Sequence, residues 1–122
     1  LGDVYKRQNY STACDMAVIL HAAMENEICK KVLSARNYTT SCTLQHEQGI
    51  TFSSKFLNRI DRKLEKGKVV GAKTGYVNQS RYCAVSMYES ESNNKYICVT
   101  GMAGKAWQTV YDHIAFYQNY CK

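Results

Sequence analysis

Residues 69–75 read Val-Val-Gly-Ala-Lys-Thr-Gly, an apolar run that leads into a cation, a hydroxyl and a glycine. The apolar run predicts a buried strand at 68–73 that ends at the triplet Lys73-Thr74-Gly75. There, the lysine can bind an anion, the threonine can donate a hydrogen bond, and the glycine lets another backbone lie close. A strand end of this kind suits the carboxylate end of a peptide.

Two more strand patterns follow the triplet, at 82–89 and 95–101, with a polar turn at 90–94. The short connections make the three strands antiparallel neighbours. Helical patterns precede and follow this meander. The predicted fold class is therefore α+β, with helices packed on the sheet.

The segments outside the meander are mostly helical in pattern. Thr12 followed by Asp15 indicates a helix start. Apolar residues then recur at helical spacing, at Ala13, Met16, Ala17, Leu20, Ala23 and Met24. Further elements are a helix at 27–34, an extended segment at 37–43, a loop at 46–49 and an amphipathic helix at 52–63. From Lys105 the helical period returns, with a predicted buried face of Trp107, Val110, Tyr111, Ile114, Tyr117 and Cys121.

Composition is that of one small globular domain. The chain has 122 residues, of which 45% are hydrophobic, and this excludes an intrinsically disordered chain. No apolar run is long enough to span a membrane. The formal net charge is +6, with one basic cluster at residues 59–68. We interpret this cluster as a solvated face; a surface that meets an anionic polymer is the alternative.

The cysteines and histidines match no zinc-binding spacing, so no metal site is predicted. Of six cysteines, those at 14, 83 and 98 lie in apolar patterns and are expected in the core. Mostly free thiols are favoured, although export would permit one or two disulfides of unknown pairing. His21 and His113 lie off the apolar stripes of their helices. No Ser-His-Asp arrangement follows from the spacing.

Residues 1–8 look like a translated sequencing-library adaptor rather than natural protein. We expect a non-native tail there and an open-ended fragment at 9–122. A short natural polar tail is the alternative. Either reading leaves these residues out of the fold.

The chain resembles the C-terminal part of the catalytic domain of serine D-alanyl-D-alanine carboxypeptidases, the low-molecular-mass penicillin-binding proteins. The resemblance covers about residues 9–122 and is carried by the segments at 10–17, 32–40, 70–76, 82–88 and 96–101 and by the closing helix. It implies a partial DD-peptidase/β-lactamase-like fold, an antiparallel three-stranded meander flanked by helices.

The family joins three motifs in one cleft, S-x-x-K, S-x-N and K-T-G, and its first serine forms an acyl-enzyme that water hydrolyses. The resemblance gives Lys73 a catalytic, electrostatic role near the substrate carboxylate and lets Thr74 donate a hydrogen bond to that carboxylate. Gly75 would let the substrate backbone align with the strand. The backbone N–H of Tyr76 would be one oxyanion donor. The resemblance implies no cofactor and no metal.

The other two motifs have only formal matches in this chain. Residues 92–95, Ser-Asn-Asn-Lys, satisfy S-x-x-K, and residues 92–94 satisfy S-x-N. We reject both because they follow the K-T-G triplet and lie in a predicted polar turn. The nucleophile is therefore expected outside this chain, and the isolated chain is expected to be inactive. After the triplet, the family often has glycine where this chain has Ser80-Arg81-Tyr82, which affects expected substrate preference.

The resemblance implies a peptidoglycan stem peptide ending in D-Ala-D-Ala as substrate and β-lactams as inhibitors. It implies an extracytoplasmic enzyme that binds no nucleic acid and meets the membrane only through parts absent from this chain. Two alternatives stay open, a class A β-lactamase fragment and a non-catalytic peptidoglycan-binding module. As part of a larger domain, the chain should expose apolar surface and be marginally stable alone.

Overall fold

The computed structural model describes residues 10–121 of the chain. The predicted adaptor-like tail at 1–8 lies outside the described residues, as do positions 9 and 122. The elements in chain order are α1 (Ala13–Glu25), α2 (Glu27–Ser34), β1 (Asn37–Thr39), β2 (Thr51–Ser53), α3 (Lys55–Asp61), β3 (Lys68–Val77), β4 (Arg81–Glu89), β5 (Lys95–Ala103) and α4 (Ala106–Tyr120). Within this part of the chain, no helix is long and apolar enough to cross a membrane.

Side-chain caps set the starts of the first two helices. Thr12 Oγ1 accepts from the Asp15 amide at 3.1 Å, and the Asp15 carboxylate accepts from the Thr12 amide at 3.4 Å. This capping box confirms the predicted start of α1. Asn26 caps α2 by accepting from the amides of Ile28 and Cys29. The predicted helix at 27–34 is confirmed.

The segment between α2 and β3 is less helical than predicted. Residues 51–53 form β2, which pairs antiparallel with β1, so the predicted helix at 52–63 shortens to α3. The cause is local: Ser54 Oγ accepts from the Leu57 amide and starts the helix only at Lys55. The extended segment predicted at 37–43 likewise ends at Thr39. The apolar face of α3 is buried as expected, at Phe56, Leu57 and Ile60.

Strands β3, β4 and β5 form the predicted antiparallel meander, with β3 and β5 at its edges. β3 was predicted to end at the Lys-Thr-Gly triplet, and this was wrong. Its ladder with β4 continues through the pairs Tyr76–Tyr82 and Val77–Arg81. The triplet therefore lies within an edge strand, held in place on one side by β4.

The two faces of this sheet carry separate cores. Helices α3 and α4 cover one face, around Phe56, Leu57, Ile60, Val69, Ala84, Tyr88, Val110, Ile114 and Tyr117. Helix α1, with Leu33 of α2, covers the other, around Leu20, Met24, Val85 and Met87. Neighbouring β4 residues such as Ala84 and Val85 thus belong to opposite cores, as the alternation of a strand requires. The sheet is the middle layer of three.

Exposed apolar surface, expected for part of a larger domain, is confirmed on α1 and α2. Val18, Ile19, Ile28 and Val32 are 64%, 56%, 75% and 69% exposed. Cys14 on α1 is also exposed, so its predicted place in the core was wrong, whereas Cys83 and Cys98 are half-buried. All six cysteines carry free thiols in this structure.

Candidate active site

A groove of about 620 Å³ lies along β3 at the triplet. The N-terminal ends of α3 and α4 form its other walls, through residues such as Lys55 and Trp107. Thr74, Gly75 and Tyr76 all line it. Three of the four predicted site residues therefore share one surface, and only Lys73 does not line the groove.

Lys73 leaves the strand on the opposite face from the groove. Lys73 pairs with Val85 in the ladder, and Val85 belongs to the core covered by α1. Because paired residues project to the same face, the Lys73 side chain leaves the strand on the α1 side of the sheet. The exposed ammonium then turns back and donates to the backbone carbonyl of Thr74. The positive charge of Lys73 thus lies beside Thr74 without lining the groove itself.

Thr74 and Gly75 leave room and hydrogen-bonding capacity for a ligand. The Thr74 side chain is exposed, and within the described residues its hydroxyl has no partner. A Cβ placed on Gly75 would have no atom of the chain within 4 Å. Packing within the chain therefore does not require a glycine at this position. What the glycine provides is open space beside the strand.

Tyr76 offers its backbone at the outer edge of the sheet. It lies two residues after Thr74, so the backbone groups of both point to the same edge. The Lys73 ammonium reaches the Thr74 carbonyl at this edge, opposite β4. The Tyr76 ring is 55% exposed and lies 4.5 Å from the Tyr82 ring, centroid to centroid.

The groove favours anions. Its lining includes Lys55 and Arg59 of α3 but no Asp or Glu. Among the described residues, neither cation forms an ion pair. Arg59 belongs to the basic cluster at residues 59–68, but no sequence pattern predicts that it lies near the triplet. Only the packing of α3 against β3 brings the two together.

Aromatic rings complete the groove beyond the triplet. Trp107 was predicted to face the core from α4, but it is 42% exposed and lines the groove. The Lys105 ammonium lies 5.5 Å from the centroid of the Trp107 ring. Tyr111, predicted for the same buried face, is 43% exposed and packs edge-on against Trp107. The wall at α4 can thus stack on a flat or apolar group of a ligand.

The buried face of α4 includes a polar side chain, His113, which was predicted to lie outside the apolar face of this helix. His113 has no exposed surface; its Nδ1 lies 2.7 Å from Ser86 Oγ and its Nε2 3.0 Å from Thr100 Oγ1. Tyr117 Oη also lies 2.7 Å from Ser86 Oγ and donates to the Ser86 carbonyl at 2.9 Å. Hydroxyl partners on β4 and β5 make this burial favourable.

The contact between Ser86 and His113 resembles a nucleophile and its base but cannot work as one. Both side chains are fully buried, so no acyl substrate reaches the hydroxyl. Burial lowers the pKa of His113 to about 4, against smaller opposing effects of Asp112 and of a hydrogen bond to the Ala84 backbone. Burial also raises the pKa of Tyr117. The network is structural.

The other residues considered in the sequence, Ser92, His21 and Arg81, lie in turns or on exposed surface. Ser92 lies in the hairpin turn between β4 and β5, where the Ser90 amide donates to the Asn94 carbonyl at 2.9 Å, so the predicted turn is confirmed. His21 is exposed on α1, as expected. Arg81 has φ 53°, a left-handed conformation that favours glycine. No cluster of three or more His, Cys, Asp or Glu side chains that could hold a metal occurs among residues 10–121.

Comparison with known proteins identifies the fold. No protein-family model matches the sequence, and no curated protein matches it. The structure is similar to that of D-alanyl-D-alanine carboxypeptidase from Mycobacterium tuberculosis H37Rv, with a TM-score of 0.61 at 18% sequence identity. The chain has the fold of part of that carboxypeptidase.

The similarity extends over 91% of this chain but only 42% of the carboxypeptidase chain. The present chain thus spans less than half the length of its structural relative. The predicted resemblance and the predicted partial DD-peptidase-like α+β fold are both confirmed. The roles of Lys73, Thr74, Gly75 and Tyr76 stay predictions.

Proposed function

We propose that this chain forms the K-T-G wall of the active site of a serine-type D-Ala-D-Ala carboxypeptidase. The observation that carries the proposal is the setting of the triplet. It lies on an edge strand beside an anion-attracting groove, with a free hydroxyl at Thr74 and open space at Gly75. Each of these features is what a peptide with a terminal carboxylate requires.

In the proposed complex, the peptide lies along the edge of β3, over Gly75. Its terminal carboxylate accepts a hydrogen bond from Thr74 Oγ1 and is attracted by Lys73, Lys55 and Arg59. The backbone N–H of Tyr76 donates to the carbonyl oxygen of the scissile bond and stabilises the charge that develops there. The chain itself thus binds and polarises the substrate.

The nucleophilic serine belongs to sequence outside this chain. Its oxygen would form an ester with the penultimate D-alanine, releasing the last D-alanine, and water would then hydrolyse the ester. β-Lactams would inhibit by acylating the same serine. The substrate would be a peptidoglycan stem peptide, so the enzyme would act outside the cytoplasm.

Binding tests this proposal without requiring catalysis. A peptide ending in D-Ala-D-Ala, titrated into the labelled chain, is expected to shift the NMR amide signals of residues 74–76. The same peptide with a C-terminal amide lacks the negative charge and is expected to bind several-fold more weakly. Thr74→Val should weaken binding of the acid peptide by about tenfold or more, through loss of one hydrogen bond to a charged group, worth roughly 1.5–3 kcal/mol. Ser92→Ala, at the hairpin turn, is the control and should change nothing.

Covalent chemistry supplies the second test. The purified chain is expected to take up no fluorescent penicillin, because its nucleophile lies elsewhere. Labelling that disappears in Ser92→Ala would move the active site to the hairpin and overturn the proposal. For the protein with its upstream sequence, rapid penicillin turnover would favour a class A β-lactamase instead. Equal binding of the acid and amide peptides would favour a non-catalytic peptidoglycan-binding module.

A further inference from the structure

Helix α3 is bonded at both of its ends to one residue, Arg36, which lies between α2 and β1. At the start of the helix, the Arg36 carbonyl accepts from the Ser54 amide at 2.8 Å and from Asn58 Nδ2 at 3.3 Å. At the end of the helix, the Asp61 carboxylate accepts from Arg36 Nε and Nη2, both at 2.9 Å. Such a bidentate pair fixes the relative orientation of the two groups as well as their distance.

The same guanidinium also reaches the edge of the sheet. Arg36 Nη2 donates to the Val69 carbonyl of β3 at 2.7 Å, and Nη1 donates to the Ser34 carbonyl at the end of α2 at 2.8 Å. Helix α2 packs against β3 on the α1 side of the sheet, where Leu33 joins the core, whereas α3 lies on the other side. The chain therefore crosses the edge of β3 between these helices, and Arg36 joins α2, α3 and β3 at the crossing.

Helix α3 carries the cations of the groove at the triplet. Lys55 and Arg59 are spaced i, i+4, so they lie on one side of the helix, and both line the groove together with Thr74. Their distance from Thr74 therefore depends on how α3 lies against β3. Burial of its apolar face holds α3 on the sheet, but the hydrophobic effect is non-directional. The hydrogen bonds of Arg36 are directional and add the constraint that sets the orientation of the helix.

We propose that Arg36 is a positioning residue for the recognition of a carboxylate at the triplet. It acts through α3, by holding Lys55 and Arg59 at the distance from Thr74 at which they attract the terminal carboxylate of the peptide. This inference rests on the proposed function, which makes that carboxylate the ligand group. Arg36 does not line the groove, and Asp61 pairs with its charge. Its effect on the ligand is therefore one of geometry rather than of direct attraction.

The ratio of the affinities for the acid and amide forms of the D-Ala-D-Ala peptide tests this role in the 122-residue chain. Arg36→Lys keeps the charge, but a lysine cannot form the bidentate pair and reach Val69 at the same time. The ratio should fall about two- to fivefold, the range of a solvent-exposed ion pair. Asp61→Asn, which removes the charged acceptor, should lower the ratio as well. In both variants the residual dipolar couplings of the α3 amides should change, whereas those of the β4 amides should not.

Two controls separate positioning from a general loss of stability. Arg62→Lys makes the same chemical change at the exposed end of α3, where the side chain forms no ion pair within the described residues, and should keep the ratio. Gly71→Ala introduces a clash with Met24 on the opposite side of the sheet and should also keep it. An unchanged ratio in Arg36→Lys, or in Asp61→Asn if the lysine variant does not fold, would overturn the positioning role alone. Failure of both peptides to bind the unsubstituted chain would overturn the proposed function and this inference with it.

Discussion

Acidification should destabilise the chain through one buried side chain, His113. Its ring has no exposed surface, and its two nitrogens face the hydroxyls of Ser86 and Thr100. Burial lowers the pKa of His113 from 6.5 to about 4, although the Asp112 carboxylate and the Ala84 backbone act in the opposite direction. Between these two pH values the folded chain therefore keeps the imidazole neutral, while the unfolded chain protonates it.

The direction and size of the effect follow from this difference in proton binding. The folded pKa lies below the unfolded one, so the contribution of His113 to stability is complete above pH 6.5. It falls by about 1.4 kcal/mol per pH unit as the pH drops toward 4, where the loss levels off. Over this interval the free energy of unfolding should decrease by about 3 kcal/mol. This is a large share of the roughly 5–15 kcal/mol that stabilises an ordinary domain.

Urea denaturation at pH 7, 5.5 and 4 measures the loss, provided that His113→Gln and His21→Gln are measured alongside. His113→Gln should be less stable at pH 7 but should lose about 3 kcal/mol less between pH 7 and 4 than the unsubstituted chain. His21→Gln is the matched control, because it removes a histidine from the exposed surface of α1 rather than from the core. An equal loss of free energy in the His113→Gln chain and the unsubstituted chain would refute the reasoning.

Substitutions at Gly75, Gly71 and Arg81 test which conformational features serve ligand binding and which affect stability. Gly75→Ala should leave the melting temperature unchanged but weaken peptide binding, because its Cβ enters open space beside the strand; a large loss of stability would contradict this. Gly71→Ala is the matched contrast, because its Cβ would lie 2.5 Å from Met24 Sδ. It should lower the free energy of unfolding, measured by urea denaturation, by about 1 kcal/mol. Unchanged stability would contradict this expectation. Arg81→Gly should raise the free energy of unfolding by up to about 1 kcal/mol through relief of its positive φ, and a decrease would show that Arg81 stabilises the turn in another way.

The sequence predicted most of the order of elements and most of the meander, because these depend on local patterns. It missed β2, part of which was predicted as helix. It failed at the end of β3, where the apolar run stops at Ala72 but the ladder to β4 continues to Val77. Residues 73–77 of β3 are exposed, so this end of the strand can carry polar side chains. Apolar content alone therefore shortens such strands, and the triplet was predicted at a strand end that does not exist.

The buried face of α4 was mispredicted for a different reason. Periodicity treats Trp107 as apolar and His113 as polar, yet the structure exposes the first and buries the second. The partners that make His113 burial favourable, Ser86 and Thr100, lie 27 and 13 residues away on β4 and β5. No helical pattern contains that information. The same holds for Arg59, which reaches the triplet only through the packing of α3.

The edge of β3 joins these observations to the proposed function. An uncovered edge strand presents both carbonyls and amides to any passing strand. Here Arg36 donates to the Val69 carbonyl at 2.7 Å, and Lys73 donates to the Thr74 carbonyl. Guanidinium and ammonium groups have no acceptor atoms, so they can satisfy only the carbonyls of the edge.

The Val69 and Thr74 carbonyls at the edge of β3 therefore each accept a hydrogen bond from a cation. Neither cation can bond to the amide groups of this edge. A peptide that offers carbonyl oxygens can pair with the Tyr76 amide, as in the addition of a strand to a sheet edge. Its terminal carboxylate can in addition displace the Lys73 ammonium from the Thr74 carbonyl, because an ion pair is the stronger interaction for that cation. Binding of a carboxylate-terminated peptide would then uncover the Thr74 carbonyl for the peptide's own amide. In the proposed complex, the lysine, the threonine and the glycine would thus each meet a different part of the ligand.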